Sequence, residues 1–322
     1  MVACALAIVL FATLAAAAKE QTSAEKTLFE YAMSVPSGQS PLTADMKSEL
    51  MTAVRRRAST HAEELEAKDE QGRTPLHAAA IFGMPAVVEA LLVGGAKDKH
   101  ACLHAGDGKG RMPLHLAVQS MSISKEDAAE KIEILVRHGA RADALDGEGV
   151  AALHIASQNA FVPAIQALSR AGADLNVLAG PQHTPLHLAA IVGEPASIRA
   201  LAAVGANLNA QDLSGYTALH VAILKSNPTC VRALAKVGAD LEVRANLGDG
   251  MGNGATALQV AVKLNCLECV RELVAAGADI HTEANGMTPL EIAGTDEEML
   301  RALTRTVLGS RKPKAKHGKQ EL

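Results

Sequence analysis

The chain has 322 residues, a formal net charge of -4, five cysteines, no tryptophan and only 2% aromatic residues. That charge balance excludes a protein held on nucleic acid chiefly by phosphate contacts, and so few cysteines in so long a chain exclude a disulfide framework. A core without rings must be built from Ala, Leu, Val and Ile, which points to many thin layers of packed helix rather than one thick core.

The first eighteen residues, MVACALAIVLFATLAAAA, carry no charged side chain and end in small residues. They read as a secretory signal peptide cleaved before Lys19, since the run is Ala-rich and shorter than the roughly 20 apolar residues of a spanning helix. No later stretch is apolar enough to cross a bilayer, so no stable membrane insertion is expected after cleavage. Residues 19–42, containing SVPSGQSP, read as a flexible lead-in, and 43–66 as a helical amino-terminal cap.

From residue 67 to 308 the chain repeats itself. TPLHAAA, MPLHLAV, AALHIAS, TPLHLAA, TALHVAI, TALQVAV and TPLEIAG are anchored on Leu76, Leu114, Leu153, Leu186, Leu219, Leu258 and Leu290, at intervals of 32–39 residues. Thr at the start caps a helix, and Pro beside it suits the first helical position. Nineteen residues after most anchors stands Gly-Ala, at Gly95, Gly172, Gly205, Gly238 and Gly277, where a left-handed backbone ends a second helix. Extra residues lengthen the second repeat around SMSISK and two connections, as ACLHAGDGKG and NLGDGMGNG.

This heptapeptide at a period near 33 residues closely resembles the ankyrin repeat. The resemblance implies an all-α solenoid of seven stacked helix–turn–helix repeats joined by β-hairpin-like fingers. It also implies that His77, His115, His154, His187 and His220 are hydrogen-bonding pegs between neighbouring turns rather than catalytic groups. The last repeats put Gln259 and Glu291 in the peg position, as expected of atypical capping repeats.

Family likeness further implies a protein partner held by the concave face and finger tips. The two positions after each heptapeptide core give Ile81, Phe82, Gln119, Gln158, Asn159, Ile191, Val192, Leu224, Lys225 and Leu264, to which the fingers add Leu145, Leu178, Leu213 and Tyr216. Six of these ten helix-end residues are apolar, more than solubility alone requires.

Three constellations carry alternative chemistry. His100, Cys102 and His104 in the first insertion are zinc-ligand types, but their spacing fits no standard site and a plain exposed loop is the expectation. Cys266 and Cys269 form a C-x-x-C at a helix start and suggest a luminal thiol–disulfide helper, although Cys269 shares a small-residue packing slot with Cys230, Ser197 and Ala164. No P-loop, nucleophile elbow, zinc-protease or kinase signature occurs, so neither enzyme activity nor a cofactor is expected.

The basic tail of residues 309–322 ends in Lys319-Gln320-Glu321-Leu322, one letter from the tetrapeptide that retrieves proteins to the endoplasmic reticulum. With the apolar start it leads to the expectation of a scaffold in the endoplasmic reticulum lumen, read by a KDEL-type receptor. The alternative is a cytoplasmic or membrane-tethered adaptor.

Overall fold

The computed structural model describes residues 27–33, 44–94, 99–119, 125–180, 183–247, 252–284 and 286–309. The segment 1–18 read above as a signal peptide, most of the lead-in, Gly95, residues 120–124 of the second-repeat insertion and the KQEL tail lie outside these. The described residues cluster into two compact units, one running to Pro185 with Ala203–Gly205, the other comprising Leu186–Ala202 and Ala206 onward.

In the first unit, α1 (Leu28–Met33) and α2 (Ala44–Thr60), followed by a 3-10 turn at Ala62–Leu65, precede the repeats. The repeat helices are α3 (Pro75–Phe82), α4 (Pro85–Val93), α5 (Lys99–His104), α6 (Pro113–Val118), α7 (Lys125–Arg137), α8 (Ala152–Gln158) and α9 (Val162–Arg170). First helices stack on first helices, α3 on α6 and α6 on α8, while second helices do the same, α4 on α7 and α7 on α9. The expected cap is α2, which covers α4. The lead-in is more ordered than its composition suggested: α1 lies on α3 with Leu28 and Ala32 fully buried.

The second unit contains α10 (Pro185–Val192), α11 (Pro195–Ala203), α12 (Ala218–Leu224), α13 (Pro228–Val237), a hairpin of β1 (Ala245–Leu247) and β2 (Gly252–Ala255), α14 (Ala257–Lys263), α15 (Leu267–Ala275), α16 (Pro289–Ala293) and α17 (Glu297–Gly309). Here α12 packs on α14 and α14 on α16, with α13 on α15 and α15 on α17. The strands pair antiparallel, Leu247 opposite Gly252 and Ala245 opposite Ala255, so the second insertion is the one finger among the described residues that grows into a ladder. Other fingers reduce to single bridges, such as Leu145 with Ala151.

The residue pattern explains the two kinds of helix. In α3 every residue from Pro75 to Ala80 is buried, because a helix apolar all round must have neighbours on every side and Ala lets them come close. Second helices bury one stripe: Cys230, Val231, Ala233 and Leu234 in α13, and Cys269, Val270, Leu273 and Val274 in α15. Each buried leucine contributes roughly 1.5–3 kcal/mol, so stability is spread thinly over the stack. Gly205, Gly238 and Gly277 end second helices at φ of 94°, 94° and 96°, a conformation that only glycine adopts without strain.

Candidate functional site

Four fingers are set by an aspartate. Asp146 Oδ1 accepts the backbone N–H groups of Glu148 and Val150, both at 2.9 Å, and Asp69, Asp107 and Asp212 do the same in their own fingers. The side chain thus folds the turn that a longer strand ladder would otherwise have to hold.

Four of the motif histidines then tie helix to finger. His77 Nδ1 accepts the Thr74 N–H at 3.1 Å, and its Nε2–H donates to the Arg111 carbonyl at 3.0 Å. His115 and His154 repeat this toward Val150 and Val177, and His187 Nε2–H donates to the Tyr216 carbonyl at 2.8 Å. An Nδ1 that accepts a backbone N–H has no room for a proton, so the pegs are neutral. Burial pushes the pKa of His77, His115 and His154 down, and that of His220 down to about 4.

Gln259 does the same job. It is fully buried, its Oε1 accepts the Thr256 N–H at 2.9 Å, and its Nε2 donates to the carbonyls of Thr282 and Met287, each at 3.0 Å. The glutamine is therefore a working peg without a titratable ring. Glu291 keeps only the inner half, accepting the Thr288 N–H at 2.7 Å.

With the frame held, the expected contact residues that follow each heptapeptide all fall at the carboxyl ends of first helices. Ile81 and Phe82 close α3, Gln119 follows α6, Gln158 closes α8 with Asn159 after it, Ile191 and Val192 close α10, Leu224 closes α12 with Lys225 after it, and Leu264 follows α14. Phe82, Val192 and Leu264 are exposed large apolar residues, and so are Leu145, Leu178 and Leu213 in the fingers, with Leu213 at 71%. Ile81, Ile191, Leu224 and Tyr216 are half-buried, whereas Gln119, Gln158, Asn159 and Lys225 are exposed. The Gln119 side-chain oxygen Oε1 accepts from Arg111 Nη1 at 3.1 Å.

One positioning residue was invisible in the repeat pattern. Lys131 on α7 is fully buried, and its Nζ donates to the carbonyls of Ala80 at 2.8 Å and Gly83 at 3.2 Å, either side of Ile81 and Phe82. Burial pushes its pKa down to about 8, against the pull of Asp127. A lysine in an apolar helix stripe looks like an interruption; its role depends on the carbonyls that α3 leaves unpaired.

The expected loop at His100–His104 is instead the short helix α5. His100 and His104 stack with ring centroids 4.1 Å apart, while Cys102 is buried on another side. Among the described residues no group of three or more His, Cys, Asp or Glu side chains converges as a metal set. Cys266 and Cys269 do come together, as a disulfide with Cα atoms 5.3 Å apart, and no described helix is long and apolar enough to cross a membrane.

A family profile described as ankyrin repeats (three copies) matches residues 50–146, 153–245 and 241–311, and the chain belongs to the ankyrin repeat family. Among solved structures it is similar to the ankyrin repeat domain of Bcl-3, described as a unique member of the IkappaB protein family. The identity is 28% and the TM-score 0.62, over 73% of this chain and 99% of that one. No curated protein sequence matches the chain. Family and fold together define a helical repeat protein of the kind that binds other proteins.

Proposed function

We propose that the chain is a non-enzymatic scaffold that holds a partner protein by the carboxyl ends of its first helices and by its finger tips. The observation that carries this reading is where the apolar surface lies. Of the eight exposed large apolar residues described, seven stand at these two kinds of position: Phe82, Val192 and Leu264 at helix ends, and Leu145, Leu178, Leu213 and Met287 in fingers. Scattered singly, exposed apolar residues mean nothing, but here one slot, six residues after the anchor leucine, is apolar and exposed in repeats one, four and six, and three consecutive fingers each expose a leucine, which is the pattern of a contact surface. Rigid pegs beneath them mean that little order has to be gained on binding.

Replacing Phe82, Val192 and Leu224 together with Glu tests the reading. Partner capture in cells should be lost while the circular dichroism spectrum and thermal unfolding stay as in the wild type. Retained capture by this folded variant overturns the assignment.

We place this scaffold in the early secretory pathway, motivated by the apolar first eighteen residues and the final KQEL. Redirection of the protein on deletion of Lys319–Leu322 is the expected result; unchanged distribution contradicts it.

A further inference from the structure

The second helices of successive repeats begin in the same way, and one of them differs in a manner that has chemical consequences. Eight residues after the anchor leucine stands the N-cap of the second helix: Met84 before α4, Phe161 before α9, Asn227 before α13 and Cys266 before α15. Eleven residues after the anchor stands a side chain with no exposure in every case: Val87, Ala164, Ser197, Cys230 and Cys269. In α13 the two slots hold Asn227 and Cys230, and the Asn227 side chain accepts the Cys230 N–H at 3.1 Å. In α15 they hold Cys266 and Cys269, Cys266 makes no side-chain cap bond, and the two sulfurs are joined.

The joined pair is asymmetric. Cys266 is partly exposed, whereas Cys269 is fully buried against the core stripe of α15. The neighbouring Glu268 carboxylate is drawn to Arg271 Nη1 at 2.5 Å, which offsets its charge at the helix start. In the reduced state a Cys266 thiolate would stand at the N-cap position that Asn227 holds in α13, facing the free N–H groups of the first turn of a nine-residue helix. The N-cap position lowers the cost of a thiolate, and burial raises it. Cys230, in the inner slot of α13, shows the second effect alone: burial, aided by Glu194, pushes its thiol up to about 11.

We propose that Cys266 and Cys269 form a thiol–disulfide exchange site that takes thiol and dithiol substrates, with Cys266 as the sulfur that meets the substrate and Cys269 as the resolving sulfur. This does not depend on the partner-binding reading above. In the oxidised protein a substrate thiolate attacks Cys266 Sγ. The Cys266–Cys269 bond breaks, a mixed disulfide forms on Cys266, and the electron pair leaves on Cys269 Sγ, which takes up a proton. The second thiolate of a dithiol substrate then attacks its own sulfur in the mixed disulfide and releases the Cys266 thiolate. The substrate leaves as a disulfide, and two electrons remain on the protein as the dithiol. The reverse sequence reduces a substrate disulfide.

The test uses the purified full chain and peptide-resolved mass spectrometry. Without reductant, a maleimide should leave Cys266 and Cys269 unlabelled. After treatment with dithiothreitol and its removal, Cys266 should label roughly tenfold or more faster than Cys230 or Cys269. With oxidised glutathione, reduced Cys269→Ser should accumulate a glutathione adduct on Cys266, whereas reduced wild type returns to the paired state and Cys266→Ser gains no adduct on Cys269. Ser197 already fills the same inner slot in α11, so the Ser variant suits the fold. Asn227→Cys supplies a second arm, because the frame should bond it to Cys230. The proposal is overturned by a Cys266 that stays unlabelled in the folded, reduced chain, by a Cys269→Ser variant that takes no glutathione, or by Asn227→Cys remaining a free thiol.

Discussion

Repeats five and six of the second unit, α12–α13 and α14–α15, share one backbone plan and fill it with different side chains. The peg is His220 in one and Gln259 in the other; the helix-turn residue at positive φ is Ser226 at 51° or Asn265 at 54°; the second helix is capped by Asn227 or begins at Cys266. The backbone plan stays while the chemistry of these slots changes: one repeat has a titratable peg and carries an inert thiol, the other has an amide peg and carries a bonded cysteine pair. A repeat frame held by short hydrogen bonds tolerates such exchanges because each slot needs only a donor, an acceptor or a small volume.

The largest expected effect comes from emptying the peg slot. Gln259→Ala removes the partner of the Thr256 N–H and of the Thr282 and Met287 carbonyls, and should cost about 2–3 kcal/mol in denaturant unfolding. A cost near zero would mean that water replaces the peg.

The proton comparison comes next. Burial holds the His220 pKa at about 4 against an ordinary 6.5, so between these values the unfolded chain binds a proton that the folded chain refuses. Stability from this group is whole above about pH 6.5 and is lost as the pH falls toward 4. His220→Gln should match the wild type at neutral pH and gain on it progressively below pH 6.5 in unfolding midpoint. Parallel pH profiles for the two proteins would break the distinction between the repeats.

Caps give a smaller contrast. Asn227→Ala should lose about 1 kcal/mol with its bond to the Cys230 N–H. Cys266→Ala in reducing buffer, at a pH where the Cys266 thiol keeps its proton, should lie within about 0.5 kcal/mol of the reduced wild type, since a neutral thiol is a weak acceptor for the first-turn N–H groups. Smallest is the turn: Ser226→Gly should raise stability by about 0.5 kcal/mol by relieving the left-handed backbone. Asn265→Gly should be neutral, because Asn already tolerates that region; scanning calorimetry of both variants checks the pair.

Much of this plan was legible in the residues. The heptapeptide marks where each first helix starts, since Thr, Pro and the peg are local requirements, and Gly-Ala marks where each second helix stops. The helix-end positions followed because a helix of known start and length ends at a known residue, as Phe82 and Val192 do. What was missed depends on distant partners. Lys131 reads as a break in a stripe until the Ala80 and Gly83 carbonyls are seen beside it. Residues 99–104 have too few apolar side chains to announce α5, and Leu28 gave no sign that α3 would bury it. Counting positions placed Cys269 correctly in the core but left open whether Cys266, three residues earlier, would be bonded to it.

The central claim is that a rigid frame presents apolar residues to a partner at two kinds of position. A photo-crosslinking amino acid placed singly at Phe82, Val192, Leu213, Leu264 and Val93 tests it most directly. Val93 is as exposed as Val192, 47% against 51%, but closes the second helix α4 rather than a first helix. The account predicts crosslinks to a common protein from the first four sites and none from Val93. Equal crosslinking from Val93, or none from the four, would contradict it.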